Sequence, residues 1–343
     1  MKERPFPDAL PSQVRVSLGS AIVLRLLMGR LNAIPTTAYL MTFKEGRCTA
    51  NCGFCPQAKR SRARADMLSR VSWPAFPTIQ VINHIENAYR NNRVRRVCIQ
   101  ALNYPEVFDD LFALAREIFS RTKMPISVSC QPLARENIVK LAEVGVQRIG
   151  IPLDAATENI FDRVKGSLAG GPYNWEMQFE LLRQAVEIFG QGKVSTHLIV
   201  GLGETEKEMV ALIQRCVDSG ILPALFAFTP IKGTALENGT QPKIQRYRRT
   251  QVARYLIERG ISRIENMRFG REKAIVDFGI EKDQLDRIVK TGEPFRTSGC
   301  PDCNRPYYNE KPTGPIFNFP HALRKKELCG VAEEMEQAVR ISP

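Results

Sequence analysis

Three cysteines within eight residues are the feature of this sequence with the clearest potential for chemistry. They are Cys48, Cys52 and Cys55 in the stretch Arg-Cys-Thr-Ala-Asn-Cys-Gly-Phe-Cys-Pro-Gln. Thiolates this close in sequence can bind one inorganic centre. Three ligands are one fewer than a closed tetrahedral zinc site or a four-cysteine iron–sulfur cluster requires. The spacing therefore indicates a metal centre with one open coordination position.

A second short pair of cysteines, Cys300 and Cys303, lies near the C-terminal end of the sequence. A Cys-x2-Cys turn presents two thiolates to one metal, so the pair predicts either a ligand set for an iron–sulfur cluster or a zinc site that staples the tail. The other cysteines are Cys98, Cys130, Cys216 and Cys329. Free cysteine is among the most buried residue types, so Cys98 and Cys130 are read equally well as ligands or as core thiols, and Cys216 and Cys329 as structural.

Composition indicates a globular protein of the cytoplasm. The chain has 343 residues, of which 43% are hydrophobic and 25% charged, enough for one large α/β domain or two smaller ones. No run of 18 apolar residues occurs, and residues 16–31 carry Arg25 and Arg30 without a small-residue cleavage site. We therefore expect an N-terminal amphipathic helix, no membrane segment, and metal or redox use of the nine cysteines rather than disulfides.

A formal net charge of +13 predicts an acidic partner. The positive charge is concentrated in residues 59–70 and 243–271. Nucleic acid, an acidic protein domain and an anionic cofactor all fit such a field, and so does a basic surface that is simply solvated. No RNA-binding motif with interleaved aromatic residues accompanies the charge, so nucleic acid is not the favoured partner.

Alternating apolar runs and amphipathic segments indicate the elements that must position the cysteines. Predicted strands are residues 37–43, 95–100, 124–130, 147–153, 193–200, 224–229 and 262–269, and predicted helices are residues 106–120, 135–144, 175–189, 245–259 and 282–289. Short apolar strands alternating with helices are typical of parallel βαβ units. The pattern predicts a single TIM-type (βα)-barrel of seven to eight parallel strands, with an open doubly wound sheet as the alternative.

The chain divides into three predicted parts, which are an N-terminal helical segment (1–33), the barrel (34–290) and a C-terminal extension (291–343). Residues 293–319 of the extension are rich in Pro, Gly, Asn and Tyr, and a final helix is predicted over 322–341. We expect the extension to lie over the barrel mouth. Functional groups in a barrel collect at the C-terminal strand ends, where the cysteine motif, Cys98, Cys130, Asp154 and the glycines after residue 200 are all predicted to fall.

The motif Cys-x3-Cys-x2-Cys, with Phe54 before its last cysteine, resembles that of the radical S-adenosylmethionine (SAM) superfamily. The resemblance implies that Cys48, Cys52 and Cys55 hold a [4Fe–4S] cluster whose fourth iron is chelated by SAM. One electron from the cluster then cleaves SAM to give a 5′-deoxyadenosyl radical. A zinc knuckle or a chance match are the alternatives.

Further matches over roughly residues 34–275 resemble the biotin-synthase-like branch of that superfamily. They include Cys98, Asp154 after Ile-Pro-Leu, and the segment Ile-Val-Gly-Leu-Gly-Glu-Thr from Ile199. The resemblance implies that Phe54, Ile199 and Gly201 flank the adenine of SAM, and that Asp154 holds a ribose hydroxyl.

Biotin synthases build a second, sulfur-donating cluster from three cysteines and an arginine. By resemblance Cys98 and Cys130 match two of the cysteines, and Arg271 matches the arginine. Ser195 stands at the third cysteine position, and Pro152 replaces a ribose-binding asparagine. The sequence therefore departs from the biotin synthase pattern at the second cluster.

The tail around Cys300 and Cys303 resembles that of the two-component, archaeal-type lipoyl synthases, whose subunits look like biotin synthases but carry two [4Fe–4S] clusters. This implies an auxiliary cluster on Cys300 and Cys303, completed by Cys98 or Cys130, as the sulfur source for C6 or C8 of a protein-bound octanoyl chain. The implied partners are a second lipoyl synthase subunit, an octanoylated acidic lipoyl domain or H protein, and an electron donor such as ferredoxin. No catalytic residue is predicted beyond the cluster ligands. Biotin formation, a reaction like that of methylornithine synthase, and RNA modification are the alternatives.

Overall fold

The computed structural model describes residues 9–311 and 313–340, and for 336–340 the backbone only. Its strands are β1 (Gln13–Val16), β2 (Thr37–Thr42), β3 (Met67–Leu68), β4 (Val71–Ser72), β5 (Ala75–Pro77), β6 (Arg96–Gln100), β7 (Ile126–Ser129), β8 (Val146–Gly150), β9 (Val194–Val200), β10 (Ile221–Ala227), β11 (Arg268–Phe269) and β12 (Ile275–Asp277). Its α-helices are α1 (Leu18–Val23), α2 (Thr78–Arg90), α3 (Val107–Thr122), α4 (Arg135–Glu143), α5 (Glu158–Val164), α6 (Trp175–Phe189), α7 (Glu206–Asp218), α8 (Ile244–Glu258), α9 (Lys282–Thr291) and α10 (Lys325–Arg340).

One eight-stranded sheet, in the order β10-β9-β8-β7-β6-β2-β1-β5, forms the centre of the fold. The six strands from β2 to β10 in this order are parallel, whereas β1 pairs antiparallel with both β2 and β5. Every residue of β2 and β7 is buried, as expected for parallel strands that are covered on both faces. The predicted α/β class and parallel strand series are confirmed, and the pairing of the described strands leaves the sheet open between β5 and β10.

Among the described residues the parallel strands number six, not the predicted seven to eight. Residues 262–269, predicted as a strand, form a 3₁₀ turn (Ile264–Asn266) followed by the two-residue strand β11, which pairs antiparallel with β12 outside the main sheet. The physical reason is the scarcity of apolar residues in Ser-Arg-Ile-Glu-Asn-Met-Arg-Phe. Its charged side chains pair at the surface, as Arg268 does with Asp277 at 2.6 Å.

The N-terminal segment begins with a strand rather than a helix. Val14 and Val16 of β1 are fully buried and extend the sheet beside β2. The predicted long helix over 16–31 is wrong, because α1 has only six residues and Arg25 has a left-handed φ of 63°, which cannot continue a right-handed helix. Within the described residues, no helix is long and apolar enough to cross a membrane.

The C-terminal extension, predicted to lie over a barrel mouth, contacts two separate strands of the sheet. Near Cys300 and Cys303 it contacts the beginning of β2, where the Asp302 carbonyl accepts hydrogen bonds from Thr36 (2.5 Å) and Thr37 (3.1 Å). It also reaches the edge strand β10, where Ser298 accepts a hydrogen bond from the backbone of Leu225, and the Asn309 carbonyl accepts one from Thr229 just after this strand. The segment thus contacts both β2, inside the sheet, and β10, at its edge.

Candidate active site

The loop that carries Cys48, Cys52 and Cys55, which we call the first thiol group, follows β2 and is fixed by backbone hydrogen bonds. The Cys48 amide donates to Gln57 across the loop (3.1 Å). The Gly53 amide donates to the carbonyl of Val164, the last residue of α5 (2.7 Å), and the Gly53 carbonyl accepts from Leu236 after β10 (3.0 Å). Segments distant in sequence therefore hold the middle of the loop in place before any ligand binds.

The first thiol group lines a cavity of about 530 Å³ that runs into the sheet. The three thiols are close enough to influence one another, and burial raises their pKa values, that of Cys52 to about 12 and that of Cys55 further. The backbone N–H of Asn103 donates to the Cys48 sulfur (3.1 Å). Buried thiols of this kind stay protonated until a metal centre displaces the protons, since metal binding requires thiolates.

The donor set of the first group fits an iron–sulfur cluster. Three sulfur ligands without histidine or carboxylate are the ligands of such clusters. In the part of the chain that the structure describes, no group of three or more His, Cys, Asp or Glu side chains is placed to hold a single metal ion.

A buried ion pair lies beside this loop. The Lys165 ammonium is 2.7 Å from both the Asp154 carboxylate and the Pro152 carbonyl, and the Lys165 side chain is 0% exposed. It also lies 5.0 Å from the ring centre of Tyr173. The Tyr173 hydroxyl lines the cavity and has no hydrogen-bond partner among the described residues. Burial, followed by the charge of Cys52, raises the pKa of the Tyr173 hydroxyl.

Lys165 and Tyr173 are site residues that sequence reasoning missed. Lys165 directly follows α5, and nothing in its sequence context distinguishes it from a solvent-exposed lysine at a helix end. The electrostatic influence of Lys165 on Cys48 and Cys52 identifies it only once the fold brings the two segments together.

The structure places three of the four predicted SAM-contacting residues in the cavity wall. These are Phe54, Asp154 and Ile199. Asp154 and Ile199 are neighbours, because the Ile199 amide donates to the Asp154 carbonyl (2.8 Å). Gly201 is not among the lining residues. Its φ is 108° and its amide donates to the Glu204 carboxylate (2.8 Å), so Gly201 shapes the turn after β9 instead.

Cys98, Cys300 and Cys303 form a second thiol group on the same cavity. Burial raises the pKa values of Cys98 and Cys303, and the other thiols of the group raise them further. Each sulfur has a polar neighbour, namely Gln100 at 3.0 Å from Cys98, Ser127 at 3.4 Å from Cys300, and Tyr39 at 3.4 Å from Cys303. Cys98 lies in the middle of β6, not at its C-terminal end as predicted. Cys300 and Cys303 come from the tail.

Contacts between the tail and the strand beginnings hold the second group together. The Arg96 side chain at the start of β6 donates to the Pro301 carbonyl (3.2 Å) between the two tail cysteines, and also to the Ser127 hydroxyl of β7 (3.0 Å). The Asn304 side chain accepts from Thr36 at the start of β2 (3.1 Å). Sequence positions more than 200 residues apart are joined here, so spacing could not reveal the grouping.

Other predicted members of the auxiliary site behave differently. Cys130 and Ser195 line the cavity, but the pKa of Cys130, raised to about 12, is shifted by burial alone, without influence from another thiol. Arg271 is exposed in the turn between β11 and β12 and does not line the cavity, which corrects its predicted place in the site. The short β11–β12 hairpin stands outside the main sheet, so it carries Arg271 to the surface.

Arg305 is the arginine that the structure brings to the second thiol group. Its guanidinium lies 4.0 Å above the Phe226 ring centre and donates to the Ser298 carbonyl (2.5 Å). Its charge lowers the pKa values of Cys98 and Cys303 against the effect of burial. The tail motif contains Arg305, but only the folded tail shows that its side chain faces the cavity.

His197 and the two remaining cysteines have no place in either thiol group. His197 lines the cavity against Phe226 (4.9 Å between ring centres), and burial lowers its pKa to about 3, so the ring is neutral near pH 7. Cys216 is fully buried in α7, as predicted for a core thiol, and Cys329 is exposed on α10.

A parallel α/β sheet whose cavity is lined by a three-thiol loop after the first parallel strand defines a class of iron–sulfur proteins. The comparison with known families is more specific. The family model described as "Radical SAM superfamily" matches residues 46–216, which include all of the first thiol group. This chain is a radical SAM enzyme, and the family implies a [4Fe–4S] cluster and SAM.

Relatives within the superfamily are distant. The biotin synthase of Aquifex aeolicus (strain VF5) is 25% identical over 207 residues, which are 58% of this chain and 57% of that protein. The crystal structure of methylornithine synthase superposes with a TM-score of 0.51 at 12% identity, covering 70% of this chain and 66% of the other. The structure of the FeFe-hydrogenase maturase HydG from Carboxydothermus hydrogenoformans superposes with a TM-score of 0.50 at 15% identity. The match covers 70% of this chain and 55% of HydG. The structures share the fold. The biotin-synthase-like resemblance is confirmed at low identity, over less than two thirds of that relative's length.

Proposed function

We propose that this chain is a subunit of a two-component lipoyl synthase, which inserts sulfur at C6 or C8 of a protein-bound octanoyl chain. The observation that carries the proposal is the second thiol group. It joins Cys98 of β6 to Cys300 and Cys303 of the tail on the same cavity as the first group. An enzyme that only generates a radical needs one such group, whereas sulfur insertion also needs a sulfur source.

In this proposal Cys48, Cys52 and Cys55 hold the cluster that binds SAM, and Phe54 and Ile199 contact the adenosine. With SAM bound, that cluster supplies the 5′-deoxyadenosyl radical that removes hydrogen from the octanoyl chain. Asp154 is aimed by its ion pair with Lys165 and is available to accept a hydrogen bond from a ribose hydroxyl.

The second thiol group holds the auxiliary [4Fe–4S] cluster, the proposed source of sulfur. Three thiolates in a buried cavity carry negative charge that must be offset. Arg305 supplies a positive charge next to them, and Tyr39 donates a hydrogen bond at the Cys303 sulfur or accepts one from it. These residues position and stabilise the sulfur ligands and take no direct part in bond formation.

The cavity supports a reaction between the two groups. Its volume of about 530 Å³ lies within the range of small-molecule sites. Ser195, Ser129 and Gly150 are small residues of the cavity wall. A larger residue would be crowded at position 150, because a Cβ at Gly150 would lie 3.1 Å from the Ser195 hydroxyl. The aromatic rings of Phe226 and Tyr308, 5.7 Å apart, both line the cavity.

Sulfur insertion into a free small molecule, as in biotin formation, is the second candidate. It is favoured by the biotin synthase relatives and by Cys130, which lines the cavity on the strand side. This candidate predicts that alanine at Cys300 and Cys303 leaves turnover intact, whereas the lipoyl synthase proposal predicts that product sulfur is lost.

The test combines the reconstituted chain, its partner subunit, an octanoylated peptide from an acidic lipoyl domain or H protein, SAM and dithionite. Mass spectrometry of the peptide reports sulfur, and chromatography reports 5′-deoxyadenosine. The proposal expects both products. Formation of 5′-deoxyadenosine without any mass gain from sulfur would refute it.

A further inference from the structure

The outer side of the cysteine loop carries a dense group of positive charges. Lys59, Arg60, Arg62 and Arg64, which we call the cationic face, are all exposed, while Ser61 and Ala63 between them are buried. This alternation turns every cation of the segment toward solvent. Arg64 pairs with Asp66 (2.6 Å), and among the described residues the other three cations have no carboxylate partner.

The cationic face is fixed directly to the backbone between the metal-binding cysteines. The Lys59 amide donates to the Ala50 carbonyl (2.8 Å), and the Arg60 amide donates to the Asn51 side chain (3.1 Å). The Arg62 amide donates to the Gly233 carbonyl (2.7 Å). The backbone that carries these charges is therefore tied to the cysteine loop rather than free.

An exposed apolar side chain lies next to these charges. Leu168 is 71% exposed in the 3₁₀ turn Ser167–Ala169, whose Ala169 carbonyl accepts a hydrogen bond from Asn51 (2.6 Å). Arg60 approaches the same turn, since a Cβ at Gly170 would lie 3.9 Å from its guanidinium. A surface of one charge sign attracts a partner of the opposite sign, and Leu168 adds an apolar contact beside it.

We propose that the cationic face and Leu168 dock a small acidic one-electron carrier protein. The carrier is oxidised by one electron, and the cluster held by the first thiol group is reduced by one. The face borders the cysteine loop, and residues 59–66 do not line the cavity. A partner docked here contacts the cysteine loop without contacting the cavity lining, which suits an electron donor better than a carrier of the octanoyl chain. This inference depends on the radical SAM site and not on the identity of the substrate.

The test uses an acidic bacterial ferredoxin as the probe and the reconstituted chain. Binding of oxidised ferredoxin is measured by calorimetry, and reduction of the bound cluster by reduced ferredoxin or by dithionite is followed by stopped-flow absorbance. The charge-reversal variant is Arg60→Glu with Arg62→Glu. The control is Lys282→Glu with Arg287→Glu, which makes the same charge change at two exposed cations of α9.

At about 50 mM salt we expect the reversal variant to bind ferredoxin at least about tenfold more weakly and to be reduced by it correspondingly more slowly. The difference should shrink at about 500 mM salt, where screening is strong. The control variant should bind ferredoxin, and be reduced by it, within about twofold of wild type, since charges outside the docking face change long-range attraction only a little. Reduction by dithionite, a small molecule that needs no docking face, should be unchanged in both.

Leu168→Ser supplies a variant without a change of charge, and it should weaken binding several-fold at both salt concentrations. Unchanged ferredoxin binding in the reversal variant would overturn the proposal. Loss of binding to an octanoylated lipoyl domain, with ferredoxin binding retained, would overturn it in favour of a substrate-docking face. Neither readout requires sulfur insertion, so the outcome is separate from that of the lipoyl synthase assay.

Discussion

Replacing Lys165 with methionine tests how the buried ion pair supports the candidate active site. The Lys165 side chain is 0% exposed and that of Asp154 is 8% exposed, with 2.7 Å between ammonium and carboxylate. Methionine retains the apolar stem of the side chain but removes its charge. The carboxylate of Asp154 then remains buried without a compensating cation.

The expected loss of stability follows from this burial. Removing one partner of a buried ion pair costs about 3–5 kcal/mol. Unfolding entropy is about 2.1 cal/mol/K per residue, hence about 0.7 kcal/mol/K for a chain of this length. The melting temperature of Lys165→Met should therefore fall by about 4–7 °C.

Thermal melts followed by circular dichroism and tryptophan fluorescence measure this effect. Trp175 is a local reporter, because it packs 5.4 Å from Phe161 on the helix that precedes Lys165. Asp154→Asn is the matched partner variant, since asparagine tolerates the left-handed φ of 65° at this position. The double variant should be more stable than the sum of the single effects predicts, by about 2 kcal/mol or more. A melting temperature of Lys165→Met within about 1 °C of wild type, or strictly additive single effects, would refute the reasoning.

Three further predictions concern the tail, a loop glycine and a buried histidine. Alanine at both Cys300 and Cys303 should abolish sulfur insertion while 5′-deoxyadenosine formation continues, as measured by mass spectrometry and chromatography. Gly233→Ala should lower the free energy of unfolding in urea by more than about 2 kcal/mol, and by more than Gly190→Ala does. The two glycines have similar φ values, +88° and +90°, but only a Cβ at position 233 would lie 2.5 Å from a backbone nitrogen. His197→Gln should reduce the loss of stability at acid pH in thermal melts. The pKa of His197 is about 3 in the folded protein and about 6.5 in the unfolded chain. The wild type therefore loses stability as the pH falls below about 6.5, by up to about 2 kcal/mol at pH 5.

Each of these predictions has a control and a contradicting outcome. Cys329→Ala, at an exposed cysteine, should leave sulfur insertion intact. Retained sulfur insertion in the tail variant would favour the biotin-type reaction instead. Equal destabilisation by the two glycine variants would show that φ alone governs them. An unchanged stability loss between about pH 7 and pH 5 in His197→Gln would show that another group titrates there.

The cysteine loop and the parallel strands could be predicted because their signals are local. Cys48, Cys52 and Cys55 lie within eight residues, and each parallel strand after β2 is a short run followed by a helix. Predicted strands 37–43 and 193–200 match β2 and β9 closely. The same rule failed at residues 262–269, where β-prone residues alternate with charges that pair at the surface.

Long-range contacts could not be predicted from the sequence. Lys165 and Arg305 look like ordinary charged residues until α5 and the tail are folded against the cavity. The strand β1 has only four residues, Gln-Val-Arg-Val, and becomes a strand because β2 and β5 pair with it on both sides. The choice of Arg271 rested on local pattern, and the short hairpin that holds it lies outside the sheet.

The existence of two metal centres is the central claim, and iron and sulfide counting tests it most directly. Iron and acid-labile sulfide per chain are measured after anaerobic reconstitution of wild type and of a variant with alanine at Cys48, Cys52 and Cys55. If Cys98, Cys300 and Cys303 hold a second [4Fe–4S] cluster, about four irons per chain remain in the variant. If no iron remains in the variant, the second cluster does not exist and the proposed sulfur source is lost.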